Sequence, residues 1–431
     1  MGAKRSLFVL TALAVALAAC GRADEAVVGS ASGRTPNASP ANDGPSNDGP
    51  SGDRLFLETA AGLTVKSADT GAVAFTAPAA VPTPDWSTLF RAEPFGDLTR
   101  LAAIDPLSGL ETGSREVDVP GLAVRTVSND GELVALGPPR SGDGAYPAGR
   151  EETTLVVTGL TGDLRRFDLA GNFEPDAFSI DGTGLFLIEY TPPASPDRYG
   201  VRRLDLGSGA VGEVTSRDKE VVQEEMRGTA RTQVLSPDGT RLYTLYTVET
   251  LGTAFVHVLS LDEQWAHCVD LPPPFGEAPD TVTALAVSPD GDRLFVADAS
   301  AGALAEVDTR ELAVARAADL PMDPESDAAG AAVGEGVLYV GSGSEVTTVD
   351  TGSLEAVGGW PIDGTLSSVR LGPDGDRLYV ALRDHVAVFE TGSGHQVRLF
   401  AAQGVRSISL LEGDAAPQPP VVPPSDYQCA C

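Results

Sequence analysis

Ser288-Pro289-Asp290-Gly291-Asp292-Arg293-Leu294-Phe295-Val296-Ala297 is the clearest copy of a phrase that recurs along the chain. It returns as Ser236-Pro237-Asp238-Gly239-Thr240-Arg241-Leu242-Tyr243 and as Gly372-Pro373-Asp374-Gly375-Asp376-Arg377-Leu378-Tyr379. Weaker copies stand at Asp130-Gly131, Asp181-Gly182 and Glu335-Gly336, and degenerate ones at Asp85-Trp86 and Gly52-Asp53. An Asp-Gly pair between apolar runs marks a hairpin, because Gly reaches the positive φ of a tight turn at little steric cost. Each copy therefore predicts a strand A before the turn and a strand B after it. Strand B is apolar at almost every position, as in Leu378-Tyr379-Val380-Ala381-Leu382, so both faces of its sheet are covered.

A third strand follows and ends in a polar turn, as at Ala68-Asp69-Thr70-Gly71, Val307-Asp308-Thr309, Val349-Asp350-Thr351-Gly352 and Phe389-Glu390-Thr391-Gly392. A short fourth strand, such as Ala313 to Ala318, completes the unit. Turn positions 52, 86, 131, 182, 239, 291, 335 and 375 are spaced by 34, 45, 51, 57, 52, 44 and 40 residues. A period in the forties with four strands per unit is the pattern of β-propeller blades. The stretches Arg293 to Ala318, Leu338 to Trp360 and Arg377 to Phe400 resemble the YVTN and WD40-like propeller repeats of exported bacterial proteins. That resemblance covers residues 53–411 and implies a fold, with almost nothing about function.

Ring closure follows from the ends. The first unit opens directly on a B strand, Arg54-Leu55-Phe56-Leu57-Glu58, while Gly404 to Leu411 is left over after the last unit. The expected architecture is all-β: one propeller of four-stranded blades, with residues 404–411 pairing with the first blade. Eight blades are favoured; seven is the alternative, if the short first step means that two units share one blade.

Composition narrows the partners. The 431 residues include 30 Lys plus Arg against 61 Asp plus Glu, a formal charge of −31, with 42% hydrophobic residues. Such a surface repels phosphate backbones, so nucleic acid is excluded as a partner. Lys4 and Arg5 precede an apolar run from Leu7 to Ala19, closed by Leu17-Ala18-Ala19-Cys20. This layout is that of a cleaved export signal, and its last four residues match the bacterial lipobox. Residues 1–19 are expected to be a lipoprotein signal peptide, with lipidated Cys20 anchoring the mature chain to a membrane, extracytoplasmically. Residues 20–52, rich in Ala, Ser, Gly, Asn, Asp and Pro, then form a tether with a reach of roughly 30 Å. A Pro-rich tail, 412–431, follows the propeller domain.

In a propeller the A–B and C–D turns share one face, and the B–C and D–A loops share the other. The long insertions fall at B–C (Gly137 to Glu151, Tyr190 to Tyr199) or at D–A (Arg217 to Ala230, Pro272 to Pro279, Pro321 to Gly330). Long loops on one side of a rigid scaffold are a usual seat of recognition. The binding-face candidates are Tyr146, Arg150, Tyr190, Arg198, Tyr199, Glu224, Glu225, Arg227 and Arg231. They either meet an anion or glycan, or tile the loop surface and pair with local carboxylates. Arg217 to Met226 has the makings of one or two helical turns.

Catalytic signals are absent from the sequence. There is no His-Glu-x-x-His pair, no Gly-x-Ser-x-Gly elbow and no phosphate loop, and neither a cofactor nor a metal is implied. His257, mid-strand in Ala254-Phe255-Val256-His257-Val258-Leu259, reads as an interior histidine with its polar atoms satisfied. With Cys20 taken by lipid, Cys268, Cys429 and Cys431 are the disulfide candidates, Cys268 pairing with either of the other two. The leading reading is a lipid-anchored, non-enzymatic module binding an envelope protein, peptide or glycan. The alternatives are a lactonase-like hydrolase with its site in the central channel, and an envelope-assembly scaffold.

Overall fold

A computed structural model describes residues 54–140, 146–217, 226–278 and 281–411. Strands account for almost all of its regular structure, in eight sheets. Blade 1 is built from Val405–Leu411, Arg54–Thr59, Gly62–Ser67 and Val73–Ala77, in the order A to D. Leu57 stands opposite Ile408 and Phe56 opposite Leu410, so the end of the chain closes the sheet that its beginning opens. Blade 2 runs Val81–Pro82, Leu89–Phe95, Leu98–Ile104 and Glu111–Val117, and it is a complete sheet of its own. The seven-blade alternative fails there: the short first step reflects an A strand only two residues long.

Blade 3 comprises Ala123–Val127, Val134–Gly137, Glu152–Thr158 and Leu164–Ala170; blade 4 comprises Asn172–Phe178, Gly184–Thr191, Arg198–Asp205 and Val211–Glu213. Blade 5 comprises Thr229–Leu235, Arg241–Val248, Thr253–Ser260 and Trp265–Asp270, with Thr215–Ser216 added in parallel outside its D strand. Blade 6 begins at Thr283, blade 7 at Ala329 and blade 8 at Leu366, each with four strands in meander order. Eight apolar clusters lie between the blades, one for each adjacent pair including 8 and 1. Each sheet thus buries both faces, which is why the B strands read as unbroken apolar runs. Closing the circle in this way completes blade 1, and each blade keeps only short edges at its A strand and at its outermost strand.

The repeated phrase has a definite job. Ser288 N–H donates to the Arg293 carbonyl at 2.9 Å, its hydroxyl donates to Asp290 Oδ1 at 2.5 Å, and Gly291 takes φ +76°. The same hydroxyl-to-carboxylate bond recurs at Ser128–Asp130, Ser179–Asp181 and Ser236–Asp238, within 2.5–2.6 Å. Thr83–Asp85 reproduces it in blade 2, where Trp86 occupies the left-handed position at φ +57° and packs 5.2 Å from Phe56. Blade 7 departs from this: Gly334 N–H reaches the Val337 carbonyl, leaving only Glu335 and Gly336 in the turn. The arginine of the phrase ties blades together, since Arg293 donates to the Thr351 carbonyl of blade 7 at 3.2 Å and Arg241 to the Thr309 carbonyl of blade 6.

Candidate functional site

The long loops do cluster at the end of the strands opposite these turns, and around blades 3 to 5 they are fastened to one another. Arg150 N–H donates to the Pro193 carbonyl at 2.9 Å, joining the B–C loops of blades 3 and 4. Asn172 Nδ2 donates to the Ala148 carbonyl at 3.1 Å from beneath. Gly149 sits so close to the second loop that a Cβ there would lie 2.0 Å from the Ala194 carbonyl oxygen. The D–A connection into blade 5 joins them: Tyr199 and Met226 exchange two backbone bonds, at 3.0 and 2.7 Å, and Gly228 N–H donates to the Tyr146 hydroxyl at 3.4 Å.

This fastening brings three of the candidate tyrosines together. Tyr146, Tyr190 and Tyr199 have ring centroids 6.3–6.4 Å apart, and Tyr199 stacks on Tyr246 at 5.1 Å. Tyr199 is 2% exposed, its hydroxyl has no hydrogen-bond partner among the described residues, and burial pushes its ionisation well above the usual phenol range. Tyr190 donates to Glu174 Oε2 at 3.5 Å.

Glu174 is the centre of the fourth candidate's surroundings. Its buried carboxylate faces three guanidinium groups: Arg150 at 3.5 Å, Arg140 at 3.6 Å and Arg125 at 3.7 Å. Arg150 is further held by its Nε bond to Asn172 Oδ1 at 2.8 Å. Burial, with the charges of Arg125 and Arg140, holds Arg150 below the ordinary guanidinium value against the pull of Glu174. Two residues on, Asp176 accepts a bond from Gln233 Nε2 at 3.2 Å. Burial, opposed by that bond and reinforced by the Glu174 charge, pushes Asp176 up to about 6.

Beside this cluster lies a cavity of about 330 Å³, walled by the A strands of blades 2 to 5 and by the B strands of blades 4 and 5. Its lining includes Arg125, Arg140, Glu174 and Asp176 together with Val124, Ile188, Leu242 and Tyr246. At the turn end, Asn129 Nδ2 of blade 3 donates to the Gly239 carbonyl of blade 5 at 3.3 Å, bridging the two blades past blade 4.

The remaining candidates fall elsewhere. Arg198 is one-third exposed and pairs with Asp197 at 3.0 Å, and Arg227 is exposed. Glu224 and Glu225, residues 218–225 of the helical turns expected over Arg217 to Met226, Cys20, Cys429, Cys431, and the side chain of Arg231 lie outside the described residues. Cys268 is half-buried, its Sγ 3.9 Å from Met226 Sδ, and the expected pairing with Cys429 or Cys431 falls outside the described residues. His257 is interior, as expected, but its Nε2 has no hydrogen-bond partner among the described residues; burial, aided by His267, pushes it down to about 4. Among the described residues no group of three or more His, Cys, Asp or Glu is placed to hold a metal.

Sequence reasoning missed Arg125, Arg140, Glu174, Asp176 and Gln233. The signal was the A strand of blade 4, where Glu174-Pro175-Asp176 replaces the small apolar residues of its counterpart Thr283-Ala284-Leu285-Ala286-Val287. Innermost strands line the channel, so charge there marks the lining.

No family model matches the chain, and no curated protein matches it. Among solved structures it is similar to the dihydro-heme d1 dehydrogenase NirN in complex with DHE, at 14% identity over 83% of this chain and 74% of that one, with a TM-score of 0.50. It is similar to Sqt1 of Saccharomyces cerevisiae at 9% identity, over 76% and 85% of the two chains, again at 0.50. BamB of Moraxella catarrhalis is 13% identical over 76% and 92%, with a TM-score of 0.41. At these identities the likeness extends to the architecture alone: the chain is an eight-bladed β-propeller.

Proposed function

We propose that this propeller is a lipid-anchored, extracytoplasmic binding module, held to a bacterial membrane through Cys20 and docking a protein, peptide or glycan at the long-loop end of blades 3 to 5. The export layout of residues 1–20 supports the address. The docking role rests on one observation: three long loops are bonded to each other instead of hanging free, and they bring Tyr146, Tyr190, Tyr199 and Arg150 to one region of the loop end. Pre-fastened loops bind with less loss of freedom than loose ones, and Tyr and Arg are the side chains enriched where binding energy concentrates.

Site-specific cross-linking in intact cells tests this reading. A photoreactive residue replacing exposed Arg227, on the loop end, is expected to give a discrete adduct, whereas one replacing Asp290, on the turn end, gives none. Adducts at Asp290 alone, or none at Arg227, overturn the docking face. Replacing Cys20 with Ala should release the chain from the membrane fraction; retention there overturns the anchor.

A further inference from the structure

Large apolar side chains are exposed mainly at one end of the strands. Among the described residues all of them but Phe95, Leu251 and Leu399 lie in an A–B or C–D turn or within the first two residues of a D strand, which is the turn end. They are densest where blades 1 and 2 meet. Leu110 is 69% exposed, Val73 57% and Leu107 43%. Gly109, between the two leucines, lies on Phe75: a Cβ there would come 2.5 Å from the ring. The C–D turn of blade 2 thus leans on the D strand of blade 1, and Val73 opens that strand two residues before Phe75, with Ala72 and Ala74 exposed beside it. Single exposed aliphatics are ordinary, whereas a group drawn from two adjoining blades forms a patch. The charges around it are already engaged. Asp105 accepts from the Leu107 and Ser108 N–H groups at 3.1 and 2.6 Å, Glu111 pairs with Arg100, and Asp69 pairs with Arg398 at 3.2 Å. Carboxylates held in this way cost less to bring against an apolar medium than unpaired ones.

The point where the chain enters the disc says what covers this patch. Arg54 begins strand B of blade 1 at the turn end, and Leu55, Lys66 and Val73 stand in one row across that sheet. Two strand spacings come to about 10 Å, so the segment running from Cys20 joins the disc beside Val73. A tether with a reach of roughly 30 Å keeps the turn end at roughly millimolar effective concentration beside the lipid that holds it, where a weak apolar contact suffices. We propose that the apolar shoulder at the junction of blades 1 and 2 rests on the lipid bilayer that anchors Cys20, so that the turn end faces the membrane and the long loops of blades 3 to 5 face away from it. This inference rests on the lipid-anchor reading and adds a contact surface and an orientation to it. Burial of apolar side chains drives the contact, because anionic headgroups repel a chain of formal charge −31.

Fluorescence quenching from within the bilayer tests the contact. The full chain, purified from membranes with its lipid, is reconstituted in phosphatidylcholine vesicles that carry nitroxide-labelled phosphatidylcholine. An environment-sensitive fluorescent residue replaces Leu110 in one sample and Leu251, at the loop end, in another. Strong quenching is expected at position 110 and none at 251. Val73→Glu combined with Leu110→Glu should abolish the quenching of a reporter at position 107 and leave the chain in the vesicle fraction, since the anchor is untouched; both side chains are exposed, so the chain still folds. Equal quenching at 110 and 251, quenching at 251 alone, or quenching at 107 that survives both Glu replacements overturns the proposal. A photoreactive residue at position 110 that yields a protein adduct in intact cells, in place of a lipid adduct, overturns it too, because the shoulder then serves a protein partner. Fractionation of Cys20→Ala separates the two readings. A chain released by that replacement but quenched equally at both positions keeps its anchor and loses this inference, whereas a chain still retained without Cys20 loses the anchor and this inference with it.

Discussion

The two ends of the strands in this disc are built on opposite rules. At the turn end, five blades use one device: a Ser or Thr hydroxyl bonded to the Asp two residues on, with a left-handed residue after it. At the loop end around blades 3 to 5 nothing repeats, and the bonds run between connections distant in sequence, as from Arg150 to Pro193 and from Met226 to Tyr199. The turn end spends its carboxylates on its own backbone. The loop end gathers one carboxylate and three arginines from different strands and loops. Local bonds can be copied with each duplication, whereas a cluster assembled from several units arises once.

The contrast breaks most visibly at Glu174. Glu174→Gln removes the counter-charge shared by Arg125, Arg140 and Arg150, whose side chains are only 14–19% exposed. Losing one partner of such a buried set costs about 3–5 kcal/mol. Chemical denaturation should show that loss at low salt, with much of it recovered by added sulfate. An unchanged denaturation midpoint would mean that other partners of the three arginines hold the cluster without Glu174.

At the turn end the effects are expected to be smaller and nearly equal from blade to blade. Ser128→Ala, Ser236→Ala and Ser288→Ala each remove the bond to Asp and the acceptor for a backbone N–H, at about 1–3 kcal/mol apiece. Because the turns sit in different blades, the double replacement of Ser128 and Ser288 should equal the sum of the singles. Strong non-additivity in denaturation would show that the turns act as a connected rim and not as independent units.

This division also sets what was legible in the sequence. Asp290-Gly291 and its copies report their own structure, because a turn is settled by residues a few positions apart. From them come the blade count, the strand order and the pairing of residues 404–411 with the first blade, all borne out. The site was legible only where its residues share loops: Tyr190 and Tyr199 flank one B–C connection, and Tyr146 and Arg150 another. Arg125, Glu174 and Gln233 come from three separate A strands, and their meeting depends on how far apart blades 3, 4 and 5 stand around the channel. Strand alternation says that they face inward; it does not say which of them touch. Arg198 misled for the converse reason, since Asp197, its neighbour in sequence, takes its charge.

Acidity separates the two ends further. Bonds from the Ser hydroxyls and from backbone N–H groups hold Asp130, Asp181 and Asp290 below the usual carboxylate range. Their contribution is present above the unfolded value of about 4 and is lost as pH falls through the folded values. Asp176 is pushed up to about 6, so its folded form takes up a proton between about 4 and 6. Its contribution is present below about 4 and is lost as pH rises through about 6. Thermal melts of the wild type and Asp176→Asn should therefore diverge on going from pH 4 to 7, the wild type losing ground. Parallel curves would mean that Asp176 is ionised at no cost and that the cavity is wetter than its walls suggest.

The finest distinction lies within the turn end, in the C–D turns. Gly71, Gly109, Gly209 and Gly394 hold the left-handed position in blades 1, 2, 4 and 8, while blade 5 places Gln264 there at φ +62°. A side chain in that conformation costs roughly 1–2 kcal/mol, partly offset because glycine loses more freedom on folding. Gln264 gains little in return, for its amide reaches Asp181 only at 3.4 Å. Gln264→Gly is thus expected to stabilise the chain by about 0.5 kcal/mol, and Gly209→Ala to destabilise it by about the same amount, since a Cβ there meets only Phe167 at an ordinary 3.6 Å. Opposite signs at equivalent positions, read from paired denaturation midpoints, would establish that the turn end obeys backbone geometry alone. Loss of stability in both would mean that Gln264, through Asp181 of the neighbouring blade, helps to hold blades 4 and 5 together, and that this junction depends on its rim as well as its core.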